Sequence, residues 1–141
     1  MPAFTWASDR ALLVTFDHAD SDETHALVRA SEQAIMLRGP TGIQDIVAAY
    51  ASLLVLWPSP EIDHAEVERS VRACVEHAGE IPPSLTHSVT LPCCYDEAFA
   101  PDLGEVASLH AMTREEVIHA HSSATYTVRF LGFSPGFPYM A

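Results

Sequence analysis

The sequence predicts an α+β protein: a small α/β sandwich in the order β-α-β-β-α, with both helices on one sheet face. Short apolar runs of strand length alternate with segments whose apolar residues recur at helical spacing. Gly39-Pro40, Gly79 and Pro82-Pro83 punctuate that alternation. The composition, 48% hydrophobic and 18% charged, is that of a globular protein with a real core.

Taken in order, Ala11–Phe16 reads as a buried strand. Asp20 is placed to cap the next segment, with Glu23 as its reciprocal partner. Leu27, Ala30, Ala34 and Leu37 share one face of the helix that follows, and Gly39-Pro40 ends it. Ile43–Tyr50 and Ser52–Trp57 are strands close enough to pair as a hairpin. Ser59 with Pro60 makes a helix start, N-cap and first helical position. Val67, Val71, Cys74, Val75 and Ala78 carry that helix's apolar stripe, and Gly79 closes it.

Pro82-Pro83 divides the chain into an N-terminal α+β domain, 1–82, and a second part, 83–141. The second part opens with a strand over Leu85–Tyr95. A short helix introduced by Pro101 carries Leu103, Val106, Ala107 and Leu109. Thr113 and Glu116 form a capping box for another helix, and Thr125–Leu131 returns to strand. A strand, a helical excursion and one more strand do not close a domain. The expectation is therefore the start of a β-rich unit, truncated at its C-terminus.

The net charge of −12 argues against binding to nucleic acid or anionic membranes, both of which select basic surfaces. Apolar runs such as Ser52–Trp57 are too short to span a bilayer, and the N-terminus lacks the features of a signal peptide. A cytoplasmic location is the expectation. The chain has no lysine, which excludes a P-loop lysine, a Schiff-base lysine and a biotinyl-lysine from it.

Cys93 and Cys94 are adjacent on an expected strand and so point to opposite faces, which makes them, with Cys74, free and buried thiols. A zinc site from Cys93 or Cys94 with His87 or His110 is the less favoured alternative, and no metal is assigned. His119 and His121 are two apart, the wrong spacing for a shared ligand on a helix, and read as surface residues. His25 and His77 lie on polar helix faces and read likewise. Asp22-Glu23 and Glu115-Glu116 serve helix N-termini. No acid–base pair emerges, so catalytic residues are unassigned and the residues favour a binding role.

The stretch Phe130–Ala141 holds three Phe, one Tyr, two Gly and two Pro. An apolar run of this kind calls for a covering partner or further chain. Within it, Gly132–Gly136 fits G-x-S-x-G, the nucleophile elbow of α/β-hydrolases. The residue after that serine must donate its N–H to the oxyanion hole, and here it is Pro135, which has none. The stretch reads instead as a Gly/Pro turn leaving a strand.

Four segments together carry a family resemblance: Ala49–Val55, Leu91–Tyr95, Phe99–Leu103 and Tyr126–Tyr139. Through them, and most specifically through the closing G-F-x-P-G-F-x-Y element, the chain resembles the allophanate hydrolase subunit 1 family (carboxyltransferase domain, subdomains C and D). That family includes the B component of 5-oxoprolinase and a sporulation-kinase inhibitor. The resemblance implies that 83–141 begins a cyclophilin-like β-barrel. It implies one component of an ATP-dependent 5-oxoprolinase, a hydrolase acting on a small molecule. The implied partner is the C component of that enzyme, the allophanate hydrolase subunit 2 homologue. ATP would be used by the complex, without a recognisable motif in this chain. Gly132, Phe133, Pro135, Gly136, Phe137 and Tyr139 would line the substrate or partner cleft. The resemblance leaves two other roles open, a binding module that clamps a sensor histidine kinase and an allophanate hydrolase or urea carboxylase-related subunit.

Overall fold

The computed structural model describes residues 1–17, 21–80 and 87–141. By its internal contacts the chain divides into two compact units, Met1–Ser84 with Val128–Ala141, and Leu85–Thr127.

The first unit is built on a four-stranded antiparallel sheet in the order β1-β2-β4-β3. Its strands are β1 (Ala3–Ser8), β2 (Ala11–Thr15), β3 (Asp45–Ala48) and β4 (Ser52–Leu56). Helix α1 (Asp22–Arg38) follows β2, and α2 (His64–Glu76) follows β4. Strand β1 is an addition to the expected order: its apolar face is only two residues long, Phe4 and Trp6, alternating with Thr5 and Ala7. It pairs with β2, setting Phe4 opposite Val14 and Trp6 opposite Leu12. The expected hairpin of β3 and β4 is present, with Ile46 opposite Val55 and Ala48 opposite Leu53.

Directly paired strand residues share a face, so this register gathers Phe4, Trp6, Leu12, Val14, Leu53, Val55, Ile46 and Ala48 on one side. That side is the core. Leu12, Val14, Leu53 and Val55 are fully buried there and cluster with Val28 and Ile35 of α1 and Val67, Val71, Cys74 and Val75 of α2. Arg72 of α2 lays its guanidinium 4.0 Å above the Phe4 ring and also reaches Glu68, which accepts from Trp6 Nε1. The α2 stripe read from sequence is the buried one.

Three expectations about the helices are revised. On α1 the buried face is Thr24, Val28, Ser31, Ala34 and Ile35, whereas Leu27 and Leu37 are 38% and 67% exposed. Apolar residues nearly encircle this helix, so spacing alone left its rotation undetermined, and the sheet selected the β-branched stripe. The α1 cap is Ser21, whose hydroxyl accepts from Thr24 N–H; Asp20 lies outside the described residues. Helix α2 begins at His64 with Asp63 as N-cap, its carboxylate accepting from Ala65 and Glu66 N–H at 3.0 Å. Ser59 instead accepts from Glu61 N–H in a local turn ahead of the helix. A carboxylate that satisfies two orphan N–H groups prevails over a hydroxyl that satisfies one.

Gly39 ends α1 because nothing larger fits: a Cβ there would stand 2.3 Å from the Ile35 carbonyl oxygen.

In the second unit, α3 (Leu103–Leu109) and α4 (Arg114–Ser123) are the expected helices. The capping box at α4 is complete, Glu116 N–H donating to Thr113 Oγ1 at 3.2 Å and Thr113 N–H to Glu116 Oε2 at 2.7 Å. Residues 87–95, expected in a strand, are not in one; 85 and 86 lie outside the described residues. Outside a strand, neighbouring side chains are not held to opposite faces, and Cys93 and Cys94 are exposed free thiols while Cys74 is buried.

Candidate functional site

The Gly/Pro-rich stretch forms a β-hairpin. Strands β5 (Val128–Leu131) and β6 (Pro138–Met140) pair antiparallel, with Phe130 opposite Tyr139 and Leu131 opposite Pro138. Residues 132–137 make the turn. Gly132 N–H donates to Phe137 O at 3.1 Å, Ser134 N–H to Gly132 O at 2.8 Å, and Phe137 N–H to Ser134 O at 3.0 Å. Gly136 takes φ +79°, open to glycine at no steric cost, while Phe133 takes φ +65°, a strained value for a bulky residue. Ser134 thus serves the turn through its backbone, the role expected once Pro135 had removed the oxyanion donor.

The hairpin's rings form a ladder. Phe130 and Tyr139 stack at 4.5 Å between centroids and 13° between planes. Phe137 meets Tyr139 edge-on at 5.4 Å, and Phe133 meets Phe137 at 5.9 Å. The Tyr139 ring packs beside Gly132, where a Cβ would lie 3.4 Å from Tyr139 Cε2, an ordinary contact distance. At the tip Phe133 is 92% exposed, a large ring presented to solvent. Gly132, Phe133, Gly136, Phe137 and Tyr139 therefore belong to one local structure, with Pro135 in its turn.

Three further residues hold this hairpin and were not foreseen as site residues. Tyr50, between β3 and β4, meets Phe130 edge-on at 4.9 Å and Tyr139 at 6.3 Å, and its hydroxyl donates a long 3.5 Å bond to Met140 O. His25 on α1, read as a surface residue, is partly buried and hydrogen-bonds both the side chain and the main chain of Arg129 on β5. Asp22, read as a helix-terminal acid, also pairs with Arg129. Tyr50 had a sequence signal, since it lies in one of the segments that carry the family resemblance. Arg129 lies in another of those segments, whereas His25, 104 positions away from it, had no such signal.

A separate cluster sits in the second unit. Tyr95 Oη and His121 Nδ1 share a hydrogen bond at 2.6 Å, and Tyr126 Oη–H donates to the His121 carbonyl oxygen at 3.1 Å. Loss of solvation and the neighbouring Cys93 thiol push the Tyr95 phenol above its ordinary value. His121 is thus more than a solvated histidine, although it is exposed. Burial likewise pushes the Cys74 thiol up, with Arg38 opposing, so this sulfur stays protonated and inert at neutral pH. Among the described residues no three His, Cys, Asp or Glu side chains gather where they could hold a metal ion. No helix among them is long and apolar enough to cross a membrane.

Residues 2–141 match the family model described as carboxyltransferase domain, subdomain C and D, and the chain belongs to that family. It is similar to the B component of 5-oxoprolinase from Bacillus subtilis (strain 168), 29% identical over 142 residues that cover 94% of this chain and 59% of the relative. It is also similar to the B component of 5-oxoprolinase from Escherichia coli O157:H7, 29% identical over 98 residues, covering 70% of this chain and 44% of the relative. The chain thus spans about half the length of the curated relatives it matches. Among solved structures it is similar to the conserved uncharacterized protein PH0987 from Pyrococcus horikoshii, at 29% identity and a TM-score of 0.49, covering 98% of this chain and 63% of the other.

Proposed function

We propose that this chain works as the B component of an ATP-dependent 5-oxoprolinase, an amidohydrolase complex that opens 5-oxoproline to glutamate together with its C component. The observation that carries the reading is family membership over residues 2–141 combined with relatives named as 5-oxoprolinase B components. The absence of lysine supports a division of labour in which other subunits handle the nucleotide. In this reading 1–82 is the N-terminal domain and 83–141 begins a cyclophilin-like barrel. The turn from Gly132 to Tyr139 lines the substrate or partner cleft. Its exposed Phe133 and edge-on Phe137 have the aromatic, low-entropy character of recognition anchors.

The test is ATP-dependent glutamate release from 5-oxoproline by this chain mixed with the other subunits of its complex. The Bacillus subtilis relative with its own partners serves as positive control. Release that requires the chain supports the reading. No release, with the control active, refutes it for the chain as it stands.

A further inference from the structure

Between α1 and β5, His25 and Arg129 exchange two hydrogen bonds. A guanidinium has only donors, so the 3.0 Å contact of Arg129 Nη1 with His25 Nδ1 makes that ring nitrogen the acceptor. The ring proton must then sit on Nε2, where it donates to the Arg129 carbonyl oxygen at 3.1 Å. The two bonds fix both ends of one residue, its guanidinium and its main chain. Asp22, one turn away on the same helix, holds the guanidinium from the other side, and the Arg129 side chain is only 15% exposed. The next residue is Phe130, the ring on which Tyr50 and Tyr139 pack.

We propose that His25 is the positioning residue of the aromatic hairpin, acting as a neutral imidazole with its proton on Nε2. It sets where β5 is held against α1, and with it the place of the Phe130–Tyr139 ladder. The inference rests on the cleft role proposed above for Gly132–Tyr139, and it makes a chemical demand of its own. The side chain at 25 must offer one acceptor and one donor while carrying no charge. Asparagine meets that demand with Oδ1 and Nδ2–H, whereas leucine offers neither group.

Two measurements on the purified chain test this. Long-range 15N–1H NMR of the His25 ring is expected to show an unprotonated Nδ1 and a protonated Nε2. The opposite tautomer, or a doubly protonated ring at neutral pH, would overturn the proposal. Amide hydrogen exchange across Val128–Met140 is expected to be near wild type in His25→Asn. In His25→Leu it is expected to be faster by about tenfold or more, the size of one or two lost hydrogen bonds. Amides of Leu12 and Val55 act as the internal control that the sheet remains folded. Equal exchange in His25→Leu and wild type, or no rescue by His25→Asn, also overturns it. Glutamate release by the reconstituted complex then separates the two readings. If hairpin exchange follows this order while release does not change, the positioning role stands and the hairpin leaves the proposed function.

Discussion

Replacing Tyr50 by alanine tests whether the aromatic ladder is a structural unit or a set of incidental neighbours. Tyr50 contributes edge-on contacts to Phe130 at 4.9 Å and Tyr139 at 6.3 Å. Each such pair contributes about 0.5–1.5 kcal/mol beyond area burial, so losing both destabilises the docked hairpin by about 1–3 kcal/mol. The hydroxyl adds little, because its bond to Met140 O is 3.5 Å long, at the edge of hydrogen-bonding range. Tyr50→Phe is therefore expected to cost about 0.5 kcal/mol or less. The assay is amide exchange of β5 and β6 under conditions where local opening precedes global unfolding, with β2 and β4 amides as reference. Tyr50→Ala is expected to accelerate exchange in the hairpin by about tenfold to a hundredfold, with Tyr50→Phe close to wild type. A double-mutant cycle with Phe130→Ala should then return a coupling of about 0.5–1.5 kcal/mol. Equal exchange in Tyr50→Ala and Tyr50→Phe, or zero coupling, would refute the ladder as an energetic unit.

Other perturbations read different parts of the chain. Asp63→Ala removes the α2 cap and is expected to lower stability by about 1 kcal/mol in urea denaturation, while Ser59→Ala, which touches only a local turn, stays within about 0.5 kcal/mol; the reverse order would restore the Ser59 start. Backbone and side-chain hydrogen bonds at Thr113 lower the Glu116 carboxyl below its ordinary value. Its capping contribution is thus fully present above the unfolded carboxyl's pKa, about 4.3, and is lost as pH falls through the lowered folded value. Helicity of α4, followed by NMR, should decline only in that acid range, and Glu116→Gln should flatten the profile. Phe133→Ser, at a fully solvated tip, should leave denaturation unchanged within about 0.5 kcal/mol. If the tip recognises substrate or partner, the same change should cut glutamate release in the reconstituted complex, and unchanged release would remove Phe133 from the cleft.

The sequence by itself determined the mixed α/β class, the β3–β4 hairpin, the α2 stripe and the α4 capping box. Each rests on information held within a few residues: apolar spacing, or a side chain reaching its neighbours' N–H groups. The residues of the Gly132–Tyr139 turn were legible for the same reason, as glycines and prolines state their backbone demands locally. Tertiary structure decided the rest. The rotation of α1 depended on which apolar stripe the sheet accepted, because Leu27 and Val28 offered nearly equal alternatives. Strand β1 offers an apolar face of only Phe4 and Trp6, too short to stand alone, and becomes a strand by pairing with β2. Above all, the joining of His25, Asp22 and Tyr50 to Arg129, Phe130 and Tyr139 exists only in three dimensions. Hydrogen-bond complementarity between an imidazole and a guanidinium more than a hundred positions apart leaves no periodicity for a sequence to display.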